Sequence, residues 1–270
     1  MMLVNGQLCD SVSALDRGLS YGDGLFETVR FEGHVAPLWA RHMQRLANGC
    51  ERLRMPLPDG ALLRQEAQTV VGNMPRCVLR ITLTRGLSER GYALPVETVP
   101  TRIVAAFPMP AIPASLYTSG IRLYRCQTTL ADQSLLAGIK HLNRLEQVLA
   151  RAEWSDSSFG EGLVCDNHRH VISATSANLF AVINGELTTP SVDRCGVAGV
   201  ARAAVMDAFP CRVRDVPIDE ALSASELFLS SSIRGILPVQ AVGDTVYAPG
   251  PVARAVQRHW RELGFPMEQA

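Results

Sequence analysis

Of the 26 basic residues in this 270-residue chain, 25 are arginines and one is a lysine, Lys140. The two cations differ in chemistry. Arginine keeps its proton in a protein, whereas a lysine amine can lose one and can condense with a carbonyl compound. A chain that writes arginine wherever a cation serves, and lysine once, singles out Lys140 as a candidate covalent anchor. A free lysine amine titrates near ~10.4 and is almost wholly charged at neutral pH. A Schiff base with an aldehyde cofactor removes that obstacle, and pyridoxal phosphate is the cofactor that fits. The competing reading is an ordinary solvated lysine at a helix start, where a cation is electrostatically disfavoured.

Such a cofactor also needs a holder for its phosphate. Residues 196–202, GVAGVAR, form a glycine-punctuated segment entering a helix, whose free amides could face an anion. Ser230-Ser231-Ser232 follows a strand and offers hydroxyls and amides, and Arg45, in HMQRL, could bind phosphate with two donors. A flexible loop, a polar turn and a solvated helix face are the respective alternatives.

The elements that must position these groups read as follows. A short strand, a turn at Asn5-Gly6 and a second strand open the chain. Residues 25–31 alternate like a strand, turn at Glu32-Gly33 and return over 34–38. Residues 39–54 and 61–71 have helical periodicity, and 77–84 and 102–107 are β-rich. Pro108, Pro110 and Pro113 cannot continue a helix or a central strand, so the domain boundary is expected there. Beyond it come a strand at 121–126, a helix over 142–154 and strands at 163–165 and 178–183. A hairpin follows at Asn184-Gly185, then a helix from about Gly199, a strand at 227–229 and a terminal helix over 252–263. The expected division is a small N-terminal α/β domain over 1–108, a Pro-rich linker over 109–120 and a larger domain over 121–270. The class is α+β with two lobes.

Composition narrows the partners. Basic and acidic residues balance at 26 each, which argues against nucleic acid. Seven cysteines, odd in number and without a CxxC pair, argue against a metal site and fit a reducing cytoplasm. No apolar run approaches the roughly 20 residues of a membrane span.

Several of these segments carry a resemblance over nearly the whole chain. DRGLSYGDGLFETVR at 16–30, HMQRL at 42–46, ANLF at 177–180 and GVAR at 199–202 resemble the class IV aminotransferases, a family of pyridoxal-phosphate enzymes. KHLNRLEQ at 140–147 and TRGLSERGY at 84–92 are similar to its lyase subgroup rather than its transaminases. The resemblance implies a two-lobed fold-type IV enzyme whose larger lobe has a β-barrel-like core, working as a cytoplasmic homodimer. It implies the cofactor as a Schiff base on Lys140, with Arg45, Asn178, Val200, Ala201, Ser231 and Ser232 around it.

For the lyase subgroup the implied reaction removes pyruvate from 4-amino-4-deoxychorismate by carbon–oxygen elimination. It leaves 4-aminobenzoate, a folate precursor, with the released Lys140 amine abstracting the ring proton. Arg90, Tyr92 and Arg234 are the candidate partners of the two substrate carboxylates, and Thr28 stands where many transaminases have glycine. The alternative is a branched-chain or D-amino-acid transaminase of the same fold. One position departs from the pattern: Ser173 stands where the family usually has the glutamate that meets the pyridine nitrogen.

Overall fold

The computed structural model describes residues 1–267 and divides into two compact units. The first comprises Met1–Pro110 together with Ile139–Asn143; the second comprises Ala111–Gly138 and the chain from Arg144 on. The sequence placed everything after 120 in the second domain, so the return of 139–143 to the first unit is the principal difference.

The first unit contains β1 (Met2–Val4), β2 (Gln7–Leu8), α1 (Arg17–Tyr21), β3 (Gly24–Glu32), α2 (Trp39–Leu53), α3 (Gly60–Val71), β4 (Arg76–Thr84) and β5 (Thr101–Pro108). The strands form one antiparallel sheet in the order β2-β1-β5-β4-β3. Side chains alternate across it with period two. Leu25, Val29 and Phe31 of β3 share a face with Cys77, Leu79, Ile81 and Leu83 of β4, and all are buried. Leu46 and Cys50 of α2 and Leu63, Ala67 and Val70 of α3 supply the buried apolar sides of the helices. The other face of β3 and β4 carries Phe26, Thr28, Arg80 and Thr82.

The long segment 16–30 does structural work. Asp16 accepts hydrogen bonds from the Gly18 amide and from the hydroxyls of Thr84 and Thr101. Asp23 lies between the buried guanidinium groups of Arg17 and Arg85, each at 2.8 Å. Arg17 also donates to the carbonyls of Gly91 and Ala93, which ties down the loop after β4.

The second unit contains α4 (Ala114–Thr118), β6 (Ile121–Leu130), α5 (Leu145–Arg151), β7 (Glu161–Asp166), β8 (Val171–Ala174), β9 (Asn178–Ile183), β10 (Glu186–Pro190), α6 (Val200–Ala208), β11 (Arg212–Arg214), α7 (Ile218–Leu222), β12 (Glu226–Ser231), β13 (Gly235–Val242), β14 (Thr245–Val246) and α8 (Pro251–Glu262). Nine strands make a mixed sheet in the order β11-β10-β9-β12-β13-β6-β7-β8, with β14 beside β13. The sheet curls so that its edge strand β8 lies against β9 and β10. Helix α8 covers β12 and β13, burying Trp260 against Phe265. Among the described residues no helix is long and apolar enough to cross a membrane.

Three local expectations change. The return over 34–38 is only a bridge between Glu32 and Val35. Helix α4 forms inside the Pro-rich stretch, because its prolines all precede the first turn, where no amide donor is missed. The helix expected from 142 starts at Leu145, because residues 140–142 are paired to β3. Lys140 therefore lies in an extended segment, not at a helix start.

Candidate active site

The chain from Lys140 to Leu142 runs beside the beginning of β3. The Phe26 amide donates to the Lys140 carbonyl at 2.9 Å, and the Leu142 amide donates to the Gly24 carbonyl at 3.0 Å. His141 forms an antiparallel bridge with Leu25. Glycine is required at 24: a Cβ there would stand 2.4 Å from the Leu83 carbonyl oxygen and 2.8 Å from Leu142 Cδ1. The lysine is thus held in place by backbone pairing.

Lys140 Nζ sits 4.2 Å from the centroid of the Phe26 ring, and Arg80 Cζ sits 4.4 Å from the same centroid. Arg80 lies directly opposite Thr28 in the β3–β4 register, so Thr28, Phe26 and Arg80 share one sheet face with the lysine amine. The Arg80 guanidinium stays charged in a protein. Two cations beside one aromatic ring make a place for an anionic molecule. Arg80 was missed in the sequence; the signal was its position on the outward face of β4, which becomes meaningful only once the register with Thr28 is known.

Glu27 projects to the opposite face, into the core between β3 and α2. It is 1% exposed and accepts from Arg45 Nε at 2.8 Å and Nη2 at 2.5 Å, and it meets His42 Nδ1 at 2.7 Å. Burial pushes the carboxyl up, but the Arg45 charge and the bonds from Arg45 and His42 outweigh it, holding Glu27 at about 2. Arg45 is therefore no solvated helix residue: its side chain is 12% exposed and braced by a carboxylate. Burial lowers the His42 pKa below 6.5, offset in part by Glu27. A neutral His42 donates through Nδ1, and its Nε2 is buried without a hydrogen-bond partner among the described residues.

The second unit holds the other candidates. Helix α6 begins at Gly199 with no side-chain cap, leaving the first-turn amides, those of Val200 and Ala201 included, open to an anion. Asn178 donates to the Val197 carbonyl at 2.9 Å, and a Cβ on Gly199 would stand 2.0 Å from Asn178 Oδ1. Ser230, opposite Asn178 across β9 and β12, has a buried hydroxyl without a partner among the described residues. An uncapped helix, a turn kept free of side chain and an orphaned hydroxyl fit a phosphate group. Ser231 accepts from the Arg234 amide, with Ser232 next in the chain.

Other candidates are placed differently. Arg234 is paired with Glu161, which is buried and also accepts from Thr175 and Ser176; its charge is already met within the unit. Arg90 and Tyr92 are exposed on the loop after β4, and Tyr92 rests 5.4 Å from the Tyr21 ring. Ser173 is half-buried on β8 opposite Val164.

The family model for amino-transferase class IV matches residues 24–242. The chain belongs to this family. It is 32% identical to an aminodeoxychorismate lyase of Vibrio harveyi over 90% of this chain and 91% of that protein. The crystal structure of a 4-amino-4-deoxychorismate lyase from Pseudomonas aeruginosa is 44% identical, with a TM-score of 0.93 over 97% of this chain and 98% of that one. A branched-chain amino acid aminotransferase from Escherichia coli has a TM-score of 0.85 at 23% identity, over 97% of this chain and 93% of that one, which is a likeness of fold.

The Glu27–His42 pair sets a pH dependence of stability. Because folding lowers the His42 pKa, the unfolded chain takes up a proton below pH 6.5 that the folded chain resists. Stability is then lost as pH falls through that value. Glu27 gives up its contribution only lower, between 4.5 and about 2. Urea unfolding at a series of pH values should show His42→Gln flattening the loss between about pH 6.5 and 5; an unchanged slope would refute the neutral buried imidazole.

Proposed function

We propose that this chain is a pyridoxal-phosphate-dependent lyase that converts 4-amino-4-deoxychorismate to 4-aminobenzoate and pyruvate. The observation that carries the reading is the single lysine of an arginine-rich chain, pinned along β3 on one face with Thr28 and Arg80. Support for a lyase over a transaminase comes from the two lyase relatives, one at 32% identity and one at 44%, each over at least 90% of this chain.

When bound, pyridoxal phosphate supplies an aldehyde for an amine and a ring that draws electrons from the carbon bearing that amine. Lys140 would hold the cofactor through its amine, which the substrate's amine would release. The freed Lys140 Nζ then removes the proton from the amine-bearing ring carbon, the bond to the enolpyruvyl oxygen breaks, and the carbocycle becomes aromatic. The same Nζ returns a proton to the departing fragment, which leaves as pyruvate. Thr28, on that face, offers a hydroxyl toward the leaving oxygen. Arg80 meets a substrate carboxylate, and the amides of Val200 and Ala201 with Asn178, Ser231 and Ser232 take the phosphate end. Arg45, braced by Glu27, is the first unit's own phosphate candidate. Exposed Leu145, Val148 and Leu149 on α5 suit a homodimer.

The decisive experiment is incubation with 4-amino-4-deoxychorismate and assay of 4-aminobenzoate and pyruvate together. Lys140→Arg keeps the charge, and it should abolish both products and the cofactor's absorbance near ~420 nm while the fold persists. Appreciable turnover by that variant would end the assignment. Arg80→Gln should raise KM on the order of tenfold or more with a smaller effect on kcat, since a charge-assisted bond contributes roughly 1.5–3 kcal/mol. An unchanged KM would place the carboxylate elsewhere.

Ser173 bears on the choice between elimination and transamination. A carboxylate at the pyridine nitrogen favours its protonated form, whereas a hydroxyl carries no charge and leaves a weaker electron sink. Elimination with aromatisation demands less of that sink than transamination does. Among the described residues no hydrogen bond engages the Ser173 hydroxyl. Ser173→Glu should raise half-transamination with D- or L-alanine relative to 4-aminobenzoate formation; a ratio that stays level or falls refutes this role.

A further inference from the structure

The turn leading into α6 is built from two loops zipped together. The Gln133 amide donates to the Arg194 carbonyl at 2.8 Å, the Gly138 amide to the Gly196 carbonyl at 3.0 Å, and the Ala198 amide to the Gly138 carbonyl at 2.9 Å. Gly138 and Val197 form a parallel bridge. These bonds join the loops to each other, but neither loop belongs to the sheet.

Arg194 adds an ionic connection to the sheet, beside the Asn178 bond to the Val197 carbonyl and the Ser191 amide on the Arg214 carbonyl. Its Nη1 donates to Asp215 at 3.0 Å, just beyond β11, and its Nη2 donates to Asp166 at 3.1 Å, at the end of β7. Its Nε lies 3.8 Å from Asp132, on the other loop. Asp166 is itself fixed: it is fully buried, and it accepts from the amides of His168 and His170 and meets His170 Nδ1 at 3.2 Å. Burial raises the Asp166 pKa, and the bonds from His170, Arg194 and His168 more than reverse it, so a carboxylate stands ready for Arg194. A guanidinium can hold several acceptors in one plane, which a lysine in its place could not.

We propose that Arg194 is a positioning residue for cofactor binding, holding segment 191–199 on Asp166 and Asp215 so that the α6 amides are presented to the phosphate. The inference rests on the proposed function for the identity of that phosphate. It adds a residue that touches no cofactor and acts through the turn.

The test uses the whole chain stripped of cofactor and titrated with pyridoxal phosphate, followed by absorbance. Arg194→Gln should raise the dissociation constant on the order of tenfold, at a temperature well below unfolding. It should also speed hydrogen–deuterium exchange at the Gln133, Gly138 and Ala198 amides, with Arg194→Lys in between. Arg212→Gln, which removes an exposed pair with Glu186, is the control and should change neither. If Arg194→Gln does not fold, Asp215→Asn takes its place, with a smaller increase expected in both readouts. A lowered melting temperature with unchanged dissociation constant and unchanged exchange in the turn would overturn the proposal. If the wild-type chain takes up no pyridoxal phosphate, the proposed function falls, and the exchange measurement still decides whether Arg194 fixes the turn.

Discussion

The pairing of residues 140–142 with the start of β3 is the constraint on which the first unit's chemistry depends. Two backbone hydrogen bonds, Phe26 to Lys140 and Leu142 to Gly24, place the lysine beside Phe26. Backbone bonds of this kind locate a residue without using its side chain. The tight approach at Gly24 and the bond from Asn143 Nδ2 to the Gly22 carbonyl extend the same seam. The composition of 22–28 follows from it: small residues where the returning chain must pass, then an aromatic ring beneath the amine.

The carboxylates that brace the candidate groups are answered by cations, and Glu27, Glu161 and Asp166 are buried as well. Glu27 faces Arg45 and His42, Asp23 faces Arg17 and Arg85, Glu161 faces Arg234, and Asp166 faces Arg194. Leaving one such charge without its partner costs about 3–5 kcal/mol, while the paired state gains little over an apolar one. These pairs therefore add little net stability; their use is to fix guanidinium groups in single orientations. With lysine nearly absent, the chain builds these clamps from arginine, whose planar donors suit two-point contacts.

Much of this was legible in the sequence, and the limits have physical causes. Lys140 stood out by count, and the α6 turn by its glycines, because both signals are local. The helices over Trp39–Leu53 and Pro251–Glu262 follow from periodicity. The return of 139–143 to the first unit was not legible, since it depends on a partner strand more than a hundred residues earlier. Arg80 was one arginine among 25; only the register opposite Thr28 distinguishes it. Arg234 looked available because its partner, Glu161, is distant in sequence, and the bracing of Arg45, read as a phosphate partner, was hidden because Glu27 reaches it from another element.

The clasp that Arg17 places on the loop after β4 has a consequence for how such a chain can diversify. Arg17 grips main-chain oxygens of Gly91 and Ala93, and the Gly91 amide is held by the Tyr21 hydroxyl. None of these contacts consults the side chains of the loop. Arg90 and Leu94 can therefore be exchanged by mutation while the loop keeps its course, whereas Tyr92, beside the Tyr21 ring, and Ser88, whose hydroxyl accepts from Arg17, share in the anchoring. Most of the anchoring is written in one stretch of sequence and the exposed loop side chains in another, so drift in the second leaves the first largely intact. A scaffold of that kind acquires new preferences by single substitutions rather than by refolding.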